Sequence, residues 1–68
     1  MRLHINGESQ DFNENSLTLA QLVAHLEFVG ERIAVELNRE VIRRQLWNET
    51  ALKDNDKIEI VHFVGGGG

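Results

Sequence analysis

Met1, Leu3 and Ile5 alternate with Arg2 and His4 at the start of the chain. That is the period of two of a strand with one buried face. Asn6-Gly7 follows, a pair favoured in two-residue hairpin turns because both residues tolerate positive φ. The spacing predicts a partner strand from Glu8 to Phe12, polar enough to have a wet face. In "NENSLTLAQLVAHLEF" the period changes. Leu19, Leu22, Val23 and Leu26 recur at three- and four-residue spacing and form one helical stripe. Thr18 and Gln21 have the spacing of a capping box at its start, and Gly30 is the expected stop. Alternation returns in Ile33, Val35 and Leu37. A turn over Asn38-Arg39-Glu40, a brief strand at Val41–Arg43 and a tight or 3₁₀ turn over Gln45–Glu49 come next, the last pinned by Leu46 and Trp47. "KDNDK" reads as a turn with Asn55 in the left-handed region, and "KIEIVHFV" as the last strand.

The order is therefore β-β-α-β-β-β. A single apolar stripe must cover one face of one sheet, and the first and last strands can pair in parallel at its centre. The expected fold is α+β, a β-grasp or ubiquitin-like roll: a mixed sheet of four to five strands with one main helix on one face. Residues 1–64 form the domain and 65–68 a flexible glycine tail.

The chain has 68 residues and no Cys. One domain is expected, without disulfide staples and without thiol chemistry of its own. Seven Lys+Arg against eleven Asp+Glu give a net charge of −4, which argues against nucleic acid as a partner. No segment is apolar for long enough to span a membrane, and the start has no signal-peptide h-region; a cytoplasmic location is expected. Catalytic signatures are missing too: there is no Ser/His/Asp or Cys/His set, no P-loop, no GxGxxG and no metal-ligand spacing. His4, His25 and His62 fall on separate elements and read as surface or boundary residues. Arg43-Arg44 reads as a solvated face and Trp47 as core or boundary packing.

The last strand runs into four glycines, Gly65–Gly68. Without Cβ atoms such a segment can thread a narrow cleft in extended form. Four residues reach at most about 14 Å. A terminal carboxylate on Gly68 would be unhindered and suited to activation by another enzyme: conversion to an acyl-adenylate by ATP, then displacement of AMP by a nucleophile. An expression scar or truncated linker is the trivial alternative, but no polar spacer separates the run from the strand. Ile58 and Ile60 share the parity that faces the helix, whereas Val61 and Phe63 fall on the outward parity with Lys57 and Glu59. Two apolar residues on the wet face, beside the glycines, read as a docking patch with Phe63 as its anchor.

Over essentially its whole length the chain resembles the ThiS sulfur carrier family of thiamine biosynthesis, within the ThiS/MoaD ubiquitin-like group. The segments that carry the resemblance are "LHING", "LTLAQLVAHL", "IAVELNREVI" and above all "LKDNDKIEIVHFVGGGG". The resemblance implies a carrier rather than an enzyme. A ThiF-type adenylating enzyme would use MgATP to activate the Gly68 carboxylate, and no cofactor would be bound by the chain itself. Sulfur from a cysteine desulfurase, passed as a persulfide, would leave a thiocarboxylate, and the thiazole synthase ThiG would take that sulfur. Gly65, Gly66 and Gly67 would thread into the partners' active sites. Two departures stand out: four terminal glycines where two or three are usual, and Asn55 where Gly is expected. A MoaD-type carrier for molybdopterin synthesis, a ubiquitin-like modifier joined to lysines and a plain interaction module remain open alternatives.

Overall fold

A computed structural model describes residues 1–63. The expected boundary after Val64 and the expected mobility of Gly65–Gly68 lie outside the described residues. Asn6 and Gly7 take φ of 50° and 86°, so the two-residue turn joins β1 (Arg2–Ile5) to β2 (Glu8–Asp11) as a tight hairpin. Thr18 caps α1 (Leu19–His25) with the full reciprocal box. Its hydroxyl accepts from the Gln21 N–H at 3.1 Å, and the Gln21 side chain accepts from the Thr18 N–H at 2.8 Å. Strand β3 (Ile33–Leu37), β4 (Glu40–Ile42), a 3₁₀ helix (Arg44–Glu49) and β5 (Lys57–His62) complete the chain.

The five strands form one sheet in the order β2-β1-β5-β3-β4. β5 lies at the centre, parallel to β1 and antiparallel to β3. With one helix on one face, this is the β-grasp fold. Leu3 and Ile5 of β1, Val35 of β3, and Ile58 and Ile60 of β5 pack with Leu19, Leu22 and Val23 of α1 in the core. Leu17, Leu52 and Trp47 close it from the side. Leu17 and Leu52 are drawn together by a short bridge, in which the Leu52 N–H donates to the Leu17 carbonyl at 2.8 Å and the Leu19 N–H to that of Thr50 at 2.8 Å.

The helix ends earlier than Gly30 suggests. Glu27 takes the left-handed conformation, φ 64°. The Phe28 N–H donates to the Val23 carbonyl at 3.1 Å and the Glu27 N–H to that of Ala24 at 3.0 Å. These paired bonds are the Schellman stop, and they bring Phe28 back against the core. Gly30, φ 84°, serves the next turn instead. The β3–β4 turn is also tighter than expected. Asn38 and Arg39, at φ 50° and 74°, are its only central residues, and Glu40 already belongs to β4. Of the two expected pins of the 3₁₀ helix, Trp47 is 5% exposed but Leu46 is 45% exposed. Trp47 is held because its indole N–H reaches the Ile42 carbonyl at 2.9 Å, which satisfies its one polar atom.

Thr18→Ala should cost about 1 kcal/mol through loss of the cap, a fall in Tm of about 4–8 °C for a domain of this size. Glu27→Gly should raise stability by about 0.5–1 kcal/mol, because the left-handed strain outweighs the added unfolded-state entropy. Thermal melts followed by circular dichroism check both.

Candidate functional site

The segment "LKDNDKIEIV" sets where β5 begins. Asn55, φ 70°, makes the turn as the sequence implied. Asp56 Oδ2 accepts from the Lys53 N–H at 2.8 Å, and Asp54 Oδ1 accepts from the Arg2 N–H at 2.7 Å. The two aspartates therefore close the turn and fasten it to β1. Asn38 holds β5 from the other side: its Oδ1 accepts from the Lys57 N–H at 3.0 Å, and its Nδ2 donates to Asp56 at 3.0 Å.

Further along, β1 runs out before β5 does. The Asn6 side chain takes over the ladder, with Oδ1 accepting from the Ile60 N–H at 2.7 Å and Nδ2 donating to the Ile60 carbonyl at 3.1 Å. Beyond Ile60 the strand is held by β3, through Val61 opposite Ala34 and His62 opposite Ile33. The Phe63 N–H then donates to the Arg32 carbonyl at 3.1 Å. Phe63 is the last described residue; Val64 and Gly65–Gly68 follow it in the sequence.

Parity sorts the side chains of β5. Ile58 and Ile60 are buried under α1, whereas Val61 and Phe63 are 55% and 50% exposed. Residues opposite one another in a ladder share a face, so Ala34 lies beside Val61 on the uncovered side. Val41, 66% exposed, sits on that side as well, opposite Glu36. Val41, Ala34, Val61 and Phe63 thus form a discontinuous apolar band with Glu36 and Glu59 between its parts. Val61 and Phe63 were legible from strand parity. Val41 was not, because a three-residue turn at 38–40 hides its register; the two-residue turn makes it plain.

The histidines are dispersed. His4 Nδ1 lies 3.0 Å from Ser9 Oγ, His25 pairs with Glu14 at 3.1 Å, and His62 with Glu31 at 2.6 Å. Arg44 stacks over Trp47, 4.7 Å from the ring centre, and donates to the Glu31 carbonyl at 2.9 Å. Among the described residues no group of three or more His, Cys, Asp or Glu could hold a metal ion. No described helix is long and apolar enough to cross a membrane. At the far end of the uncovered face Arg2 Nε donates to Asp11 at 2.9 Å. That bond, and then the guanidinium charge, hold the Asp11 carboxyl below the usual carboxylate range. The stability it adds is present above the ordinary carboxylate pKa and is lost as pH falls through the lowered value. Both side chains are exposed, so it is small.

A family model for the ThiS family matches residues 3–67. The chain belongs to the ThiS family. The Bacillus subtilis sulfur carrier protein ThiS is 38% identical over 65 residues, covering 96% of this chain and 98% of that protein. A thiazole synthase of Magnetococcus marinus is 42% identical over 67 residues, covering 98% of this chain and 20% of that protein. The chain thus spans about a fifth of the length of the first curated relatives that it matches. The crystal structure of the thiamine biosynthesis protein ThiS from Geobacter metallireducens superposes with a TM-score of 0.87 at 36% identity, covering 98% of this chain and 100% of that one.

Phe63→Asp should leave Tm within about 3 °C of the parent, as expected for surface substitutions. A loss of 10 °C or more in a thermal melt would place Phe63 in the core instead.

Proposed function

We propose that this chain is a sulfur carrier of thiamine biosynthesis whose Gly68 carboxylate is the reactive group. The observation that carries the reading is the construction of β5. This central strand is fastened at both ends, it and the residue that follows present Val61 and Phe63 to solvent, and only Phe63 and Val64 separate it from the glycine run. The domain supplies an address for a partner and the glycines supply reach and an unhindered carboxylate.

In the reaction, the Gly68 carboxylate attacks the α-phosphate of MgATP on a ThiF-type enzyme and releases pyrophosphate. A persulfide charged by a cysteine desulfurase attacks the acyl-adenylate, and AMP leaves. A thiol reductant then splits the acyl disulfide and frees the thiocarboxylate. Its sulfur passes to a thiazole synthase. That last partner is supported by the thiazole synthases in which a segment matches nearly all of this chain. Nucleotide and metal belong to the adenylating partner, and the carrier's own side chains make no or break no bond. Docking runs through Val61 and Phe63, extended by Val41; Gly65, Gly66 and Gly67 thread the partner's cleft.

The test is intact-protein mass spectrometry after incubation with a ThiF-type enzyme, MgATP and a persulfide donor. Exchange of one oxygen for sulfur, mapped to Gly68, is expected. Deleting Gly68 should abolish the exchange with Tm unchanged, and Phe63→Asp should weaken binding of the adenylating enzyme by at least about tenfold, the scale of an interface anchor. No mass change with an enzyme proven on a known carrier would overturn the reading.

A further inference from the structure

The end of β5 carries a cluster that the docking face does not use. His62 shares the parity of Ile58 and Ile60, yet it lies past the end of α1 and is half exposed. The Schellman stop of α1 turns the chain so that Phe28 and Glu31 come over it instead. The Phe28 and His62 rings meet edge-on, 5.0 Å between centres with an 80° interplanar angle. His62 Nε2 donates to Glu31 Oε1 at 2.6 Å, since a carboxylate can only accept. Glu31 is also held through its backbone, whose carbonyl accepts from Arg44 of the 3₁₀ helix at 2.9 Å. The Phe63 N–H is bonded to the carbonyl of Arg32, one residue further. Beyond Ile58, where the β1 ladder ends, the Asn6 side chain is the one hydrogen-bond partner on that side among the described residues, and it reaches no further than Ile60.

We propose that the His62–Glu31 pair is a clamp that fixes the position of Phe63 and so the origin from which the glycines reach a partner's active site. This rests on the carrier reading above. A half-exposed side-chain contact of this kind adds little to global stability, so its effect falls on placement. Placement matters here because a reacting group displaced by about 1 Å can lose as much as a hundredfold in rate. His62 and Glu31 act as positioning residues, distinct from the apolar face that binds. The clamp therefore governs turnover and, through Phe63, a share of the affinity that the face provides.

His62→Ala and Glu31→Ala, each in the full chain, should lower kcat for adenylation by a ThiF-type enzyme roughly tenfold and also raise KM, because the same clamp orders the docking anchor Phe63. The double variant should be no worse than either single one, because both remove the same contact. His62→Gln, which keeps an N–H near the position of Nε2, should recover part of the loss. An independent measurement needs no partner: the ¹⁵N order parameter of the Phe63 amide should fall from about 0.85 to below about 0.6 in Glu31→Ala, with Ile60 unchanged. An unchanged Phe63 order parameter would overturn the clamp, whatever the activity. A rise in KM at constant kcat would overturn it too, by making His62 a contact residue. If the parent chain is not adenylated at all, the carrier reading fails, and the Phe63 measurement alone decides the clamp.

Discussion

Everything in this domain is arranged around the pairing of β5 between β1 and β3. A parallel pair formed by the first and last strands cannot be made by a local turn; it requires the whole intervening chain to cross over and return. Both ends of β5 are therefore secured by side chains as well as by the ladder. Asp54, Asp56 and Asn38 hold its start, and Asn6 holds it where β1 stops. Two asparagines and two aspartates substitute for backbone partners at the positions where regular pairing gives out.

The core is small, and no disulfide supports it. Its side chains come from both chain ends, from a two-turn helix and from the Leu17–Leu52 strap. A seven-residue helix is not stable by itself, so its capping box and Schellman stop matter more than they would in a long one. The stop also has a consequence beyond the helix. By ending α1 at His25 it leaves room over the last turn of β5 for Phe28 and Glu31, and a segment that could have been slack is ordered against His62.

Function in such a domain separates into three tasks. On the proposed reading the uncovered face of the sheet offers Val41, Ala34, Val61 and Phe63 for docking, the glycines carry the reactive group, and the last residues of β5 connect the two. On that reading the reactive atom sits at the end of a segment without side chains, and selectivity comes from the folded part. On that reading a chain with no catalytic constellation in its sequence can still take part in covalent chemistry.

Much of this was legible in the sequence because it follows from local rules. The Asn6-Gly7 hairpin, the Thr18–Gln21 box, the Asn55 turn and the outward parity of Val61 and Phe63 each depend on residues a few positions apart. The β-grasp order followed from having one helical stripe for one sheet. What the sequence could not settle were choices between nearly equal local options. Glu27 rather than Gly30 stops the helix because the tertiary contact of Phe28 with the core outweighs the left-handed strain. Asn38-Arg39 makes a two-residue turn because β4 must reach its register beside β3, and only that register reveals Val41 on the uncovered face. Leu46 and Trp47 looked alike in the sequence, but the Ile42 carbonyl is within reach of the indole alone. The pairing of His62 with Glu31 joins residues 31 positions apart, and only the closed sheet brings them together. Local chemistry wrote the elements and the chemical end of the chain; long-range packing decided where each element stops and which side chains meet there.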